Sequence, residues 1–318
     1  MTRAVPAQVR YAPWFPNPRV VVTELTPSDC TESKPATNWN STLFDAIMSD
    51  FMSAVCGPNA ASGACKLGVV QQLSTWPAWM FKDGFNGTLP PEWDTMNPFS
   101  DYSKGSELVD PTCGQMARYL GRIVGWYTNG GFHDECGHWH ASGLRYNWFG
   151  LSVLNEDEHA LAPDQGQMYT KCFDAIKTEI GKNNPSIVAV GPELCWVCTK
   201  DPLDYMKYFL NASNHDDGLA PPITSYHHGM NWPSGKWKDK TFDGESALFE
   251  QWDAFYESNV LLLETWKKEL SSETEFVLNE FIPFVGDWCD LDTIPEGMDK
   301  TKCPSWQDPK SSGGDPNL

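Results

Sequence analysis

Apolar residues along the chain recur at two spacings. Short runs of strand length fall at Gln8–Ala12, Gly68–Leu73, Leu151–Glu156, Ile187–Pro192, Ile223–His228 and Glu275–Glu280. Between them the spacing changes to steps of three and four, the signature of one apolar face on a helix. Leu43, Phe44, Ile47, Met48, Phe51, Met52 and Val55 form one such stripe, and Met116, Tyr119, Leu120 and Ile123 a second. Met168, Tyr169, Cys172, Phe173, Ile176 and Ile180 form a third. Asp201–Leu210 predicts a shorter helix, with Asp201 as cap and Pro202 in its first turn. The longest helical candidate is Ala247–Leu270, with Leu248, Trp252, Phe255, Tyr256, Leu263 and Trp266 near one side.

The strand starts at 151, 187 and 223 are 36 residues apart, the length of a strand, a helix and two short loops. Strands this apolar, each followed by a helix, predict a parallel sheet covered on both faces, an α/β architecture. Six units are visible where a closed (β/α)8 barrel has eight. The Pro- and Gly-rich stretch Lys82–Pro111 reads as a long loop on the active face. Residues 1–288 form the expected catalytic domain, and 289–318, rich in Asp, Pro, Gly and Lys without periodicity, a C-terminal tail or loop.

Composition narrows the partners. The 318 residues carry 42 acidic against 23 basic side chains, a formal net charge of −19, which disfavours phosphate backbones and anionic lipid surfaces. No apolar run approaches the roughly 20 residues of a membrane span, and Met1–Phe15 lacks the apolar segment of a signal peptide. The ten cysteines are even in number and scattered, which suits disulfides formed in an oxidising compartment, with the pairing left open. Glycosylation sequons occur at Asn40, Asn86 and Asn211. Cys195 and Cys198 make one CxxC without a second half. Cys136, His138 and His140 alternate and would share a strand face, but a disulfide or loop packing accounts for them better than zinc. No metal and no cofactor is expected.

Two predicted strands end in the same tetrapeptide, Val153-Leu154-Asn155-Glu156 and Val277-Leu278-Asn279-Glu280. Their position gives the repeat its weight, since functional residues of α/β barrels sit at the C-terminal ends of strands. The two Glu are 124 residues apart, about three βα units, and would face each other across the barrel mouth. Paired carboxylates so placed suit glycoside hydrolysis, in which one protonates the leaving oxygen and the other attacks the anomeric carbon. Trp76, Trp79, Trp148, Trp232, Trp237 and Trp288 fall in or beside loops after strands, where indoles can stack on sugar rings, while Trp252 and Trp266 are expected to pack.

The order of several motifs resembles glycoside hydrolase family 39, retaining (β/α)8 enzymes of clan A that include β-xylosidases and α-L-iduronidases. The resemblance covers roughly Val9 to Trp288. It rests on Trp14-Phe15-Pro16-Asn17-Pro18, Ser74-Thr75-Trp76-Pro77-Ala78-Trp79-Met80 and Trp126-Tyr127-Thr128-Asn129-Gly130-Gly131-Phe132. Leu154-Asn155-Glu156, Ser225-Tyr226-His227 and Leu278-Asn279-Glu280 complete it. It implies Glu156 as general acid/base and Glu280 as nucleophile. It further implies Asn155 as the ligand of the sugar 2-hydroxyl, Arg10 as a partner of the nucleophile and His227 beside the reacting centre. Of the loop tryptophans, Trp76, Trp79 and Trp288 are the expected sugar platforms, a reading from their positions in the chain.

By the same resemblance, the visible strands correspond to barrel strands two to seven, with strand one expected before Met1 and strand eight after Leu318. It also implies a secreted glycosidase whose signal peptide belongs to the missing N-terminus. One position departs from the pattern: many clan members carry a Tyr two residues after the strand-six His, and here that residue is Gly229. Two alternatives follow, a catalytically impaired carbohydrate-binding protein on the same barrel, and a metal hydrolase using His133, His138, His140 or His227.

Overall fold

A computed structural model describes residues 8–11, 24–72, 78–80, 82, 108–154, 166–195, 202–231, 256 and 259–285. Six parallel strands form its central sheet in sequence order: β1 (Gln8–Tyr11), β4 (Gly68–Gln72), β7 (Trp148–Ser152), β8 (Val188–Cys195), β9 (Ile223–Asn231) and β10 (Glu275–Val285). This is a partial α/β barrel, and each strand falls on one of the six predicted runs. Two antiparallel hairpins stand apart from it, β2 (Glu24–Thr26) with β3 (Asn38–Trp39), and β5 (Gly131–His133) with β6 (Trp139–Ala141).

The helices are α1 (Thr42–Cys56), α2 (Gly114–Thr128), α3 (Gln167–Asn183), α4 (Pro202–Phe209) and α5, over 259–269. The predicted stripes face inward: Phe44, Met48 and Met52 of α1, Met116, Tyr119, Leu120 and Ile123 of α2, and Tyr169, Phe173, Ile176 and Ile180 of α3 are all buried. With Val69, Leu151 and Ala189 from the strands they make one continuous core between sheet and helices. A smaller apolar cluster, Val70, Val190 and Ile223, lies apart from it, with Val188 and Val277 packed alongside. Burying a side chain of this kind stabilises by about 1.5–3 kcal/mol, so the two layers supply most of the driving force. Among the described residues, no helix is long and apolar enough to cross a membrane.

Among the described residues there are three disulfides: Cys30–Cys136 between the two hairpins, Cys56–Cys65 from the end of α1 to the loop before β4, and Cys113–Cys172 between the start of α2 and α3. Such bonds suggest an extracellular protein.

Between α3 and α4 sits a buried His215. Its Nδ1 lies 2.8 Å from Asp174 Oδ1 and its Nε2 2.5 Å from the Phe209 carbonyl oxygen. Both partners are acceptors, so the ring satisfies both contacts only as the doubly protonated imidazolium. Burial alone would lower its pKa, but Asp174 and the Phe209 carbonyl outweigh burial and nearby Lys177, and the pKa is raised above the ordinary 6.5. A raised folded-state pKa contributes stability that is fully present below pH 6.5 and is lost as pH rises through the folded value. Thermal melts should therefore show Tm falling by a few degrees across that window, with the slope flattened in His215→Gln. An unchanged slope in that variant would assign the pH dependence to another group.

Candidate active site at the C-terminal ends of the strands

The strands run parallel, so their C-terminal ends share one edge of the sheet. On the face opposite the helices, Val70, Val190 and Ile223 make an apolar floor. One step further along, the sequence turns polar: Gln72 ends β4, Ser152 ends β7, and Ser225 and His227 lie on β9. All four are buried, as is Glu193 of β8, which is fully enclosed. Buried polar groups are costly unless hydrogen-bonded, and here they bond to one another.

Glu193 is the hub. Its Oε1 accepts from the Ser152 hydroxyl and its Oε2 from the Gln72 amide. His227 Nε2 lies 3.4 Å from the same Oε2, and the Glu193 backbone N–H donates to Ser225 Oγ at 3.1 Å. Local backbone geometry brings this about. Glu193 has φ +56°, and the β8/β9 register shifts between Pro192 and Leu194. A bulge of this kind re-aims a side chain, and a left-handed conformation at a residue with a Cβ costs on the order of 1–3 kcal/mol. Gly191 has its own reason: a Cβ there would run into the Tyr169 hydroxyl. That hydroxyl donates to the Val153 carbonyl at 2.7 Å, while Val153 N–H donates to Val190 O at 2.7 Å. Leu154 follows with φ +65°. Tyr169 and β8 thus fix the chain as it leaves β7 toward Asn155 and Glu156.

Of the residues expected in the site, His227 is brought into this cluster. Glu280 lies on β10, where the register pairs it with His227 after a shift between Leu278 and Glu280. Arg10 lies on β1, paired with Val70. Trp79, in the short helical turn Ala78–Met80, is half-buried against the main core. Asn155, Glu156, Trp76 and Trp288 lie outside the described residues, as do Trp232, Trp237 and Trp252.

Trp148 corrects an expectation. It is buried, stacked on Tyr127 with ring centroids 5.5 Å apart, and is a packing residue because it opens β7 instead of following it. Trp266 packs as expected, edge-on to Tyr226 at 4.9 Å. The Tyr226 hydroxyl donates to Asn259 Oδ1 at 2.9 Å, and burial pushes its phenol up to about 12. Tyr226 therefore belongs to the layer of α5.

The histidines of the β5–β6 hairpin do a different job. Asp134 accepts from the backbone N–H groups of Thr37 (3.1 Å), Cys136 (2.9 Å) and His138 (2.9 Å), and lies 3.2 Å from His140 Nε2. Burial would raise the Asp134 pKa, but these donors overcome it and hold the carboxyl far below its usual range. Asp134, Cys136 and His138 place their ligand atoms within 4.8 Å of one another. The Cys136 sulfur, however, is bonded to Cys30. The hairpin leads into the N-terminal end of β7, so these histidines and His227 belong to different ends of the sheet. The spacing of Cys136, His138 and His140 marks a stapled turn.

Sequence reasoning missed Glu193. Its local signal was a Gly-Pro-Glu at a predicted strand end. Its donors come from residues 72, 152 and 227, which no local pattern links to it.

No protein-family model matches the chain, and no curated protein matches it in sequence. Solved structures do resemble it. A bacterial orthologue of human α-L-iduronidase superposes with a TM-score of 0.51 at 14% identity, covering 89% of this chain and 36% of that one. A GH39 β-xylosidase from Caulobacter crescentus gives 0.46 at 12% identity, with 89% and 48% covered. A glucosidase from Croceicoccus marinus gives 0.41 at 10% identity, with 70% and 37% covered. The chain thus spans 36–48% of the length of these three structures. The likeness to the iduronidase orthologue is one of fold.

Proposed function

We propose that the chain carries the active site of a retaining O-glycoside hydrolase of the family 39 type, with Glu280 as nucleophile and Glu156 as general acid/base. The observation that carries this reading is the buried polar cluster at the C-terminal ends of the strands, with Glu280 in register beside His227. Barrel enzymes build their sites at that end, and the fold likeness is to a glycosidase.

In this reading the Glu280 carboxylate attacks the anomeric carbon as the Glu156 carboxyl protonates the departing oxygen, which leaves a glycosyl ester on Glu280. Glu156, now ionised, takes a proton from water, and the water cleaves the ester. A retaining pair stands about 5–5.5 Å apart. Asn155 would hold the sugar 2-hydroxyl and Arg10 would orient the nucleophile, with Trp76, Trp79 and Trp288 as sugar platforms. The protein is then secreted, and the sequon residues Asn40 and Asn211 are exposed, leaving room for a glycan at each.

A dinitrophenyl 2-fluoro-glycoside should inactivate the protein with release of one equivalent of phenolate and add one sugar mass to the peptide holding Glu280. Labelling of any other residue would remove the assignment. A second reading, a carbohydrate-binding protein of the same barrel that hydrolyses nothing, is favoured by Gly229 and by the engagement of Tyr226 with Asn259. Sugar binding without turnover of any aryl glycoside would select it.

A further inference from the structure

Glu193 is a buried carboxylate at the edge of the sheet where β10 carries Glu280, and the two-carboxylate reaction does not use it. Three side-chain donors from three strands converge on it: the Gln72 amide from β4, the Ser152 hydroxyl from β7 and the His227 ring from β9. A shell made of donors fits a side chain that accepts at both oxygens, which a carboxylate does and a glutamine does not. The backbone is bent to deliver it, with φ +56° and a register shift at this residue.

His227 is the member of this shell that leads toward the proposed chemistry, because its register partner on β10 is Glu280. A carboxylate against one imidazole nitrogen fixes which nitrogen carries the proton and how the ring is turned. The Glu193 contact is to Nε2, so the carboxylate favours a proton on that nitrogen. We infer that Glu193 is a positioning residue: it holds His227 as the Nε2–H tautomer, in one orientation, beside the nucleophile. This rests on the reading of Glu280 as nucleophile for its catalytic consequence, but the coupling between Glu193 and His227 does not.

The test uses the whole chain with ¹⁵N-labelled histidine, the His227 ring signals being assigned by their loss in His227→Gln. In the native protein at neutral pH the ring is expected to show the Nε2–H tautomer. In Glu193→Gln the ring signals should shift toward a tautomer mixture, and kcat on an aryl glycoside should fall on the order of 10²-fold with KM changing less than threefold. Glu193→Asp keeps the charge one methylene further back, and should give an intermediate ring signature and an intermediate kcat. It also serves if Glu193→Gln does not fold.

Ring signals identical to the native ones in a folded Glu193→Gln or Glu193→Asp protein would overturn the inference. So would a folded variant with native kcat. A native protein that turns over no glycoside would instead end the glycosidase reading, while the ring signals would still decide the coupling of Glu193 to His227.

Discussion

Replacing Glu280 by Gln is expected to lower aryl glycoside turnover by on the order of 10⁴-fold or more, with no new route opened by a better leaving group. An amide cannot form the glycosyl ester, so the first half of the double displacement is lost whatever the leaving group. Glu156→Gln should behave differently, and the contrast identifies the pair. A dinitrophenolate leaves without a proton, so the ester on Glu280 still forms. Its hydrolysis then lacks a general base, and the enzyme should release one rapid equivalent of phenolate and stall. Substrates with poor leaving groups should lose activity in both steps. Rapid-quench kinetics on both variants, with mass spectrometry of the stalled form, measures this. Equal losses with every leaving group, or full turnover by Glu280→Gln, would take the roles away from these two residues. Melting curves of both variants check that the losses are of chemistry and not of folding.

How much of this was legible in the sequence depends on where the physical cause lies. The parallel strands were visible because burial on both faces demands continuous apolar runs, and all five residues of Gly68–Gln72 are buried. Their ends were less visible. The predicted Leu151–Glu156 is shifted to Trp148–Ser152, because Val153 already bonds to Val190 beyond the ladder and Leu154 turns left-handed. The predicted Ile187–Pro192 continues to Cys195, because the strand bulges just after Pro192, where a sheet tolerates a proline that would ordinarily end a central strand.

The β5–β6 hairpin escaped because its turn is held by Asp134 and by the bond from Cys136 to Cys30, 106 residues away, and not by alternation of apolar residues. In the site, His227 and the strand position of Glu280 could be read from motifs at strand ends. Glu193 could not, because a hub assembled from β4, β7 and β9 has no signature in its own neighbourhood. The pairing of cysteines is hidden for the same reason.

Those pairings carry the second large effect. Both residues of Cys113–Cys172 are fully buried, and the bond joins the start of α2 to the second turn of α3 across 59 residues. A cross-link acts mainly by restricting the unfolded chain, and the restriction grows with the logarithm of the loop. On that basis Cys30–Cys136, Cys113–Cys172 and Cys56–Cys65, with separations of 106, 59 and 9 residues, contribute about 5, 4 and 3 kcal/mol. Replacing Cys113 and Cys172 together by Ala should lower Tm by roughly 5–15 °C. Replacing Cys56 and Cys65 should lower it less, because a nine-residue loop is already short in the unfolded state. Denaturant unfolding of the three double variants gives the order directly. If the short-loop pair proved the most costly to remove, the stabilisation would lie in native packing around Cys56 and Cys65 and the loop argument would fail. The expected order also bears on activity. Cys172 lies three residues after Tyr169, whose hydroxyl holds Val153 as the chain leaves β7. Loss of Cys113–Cys172 should therefore raise KM or lower kcat at temperatures well below the melt, whereas loss of Cys56–Cys65 should leave both unchanged.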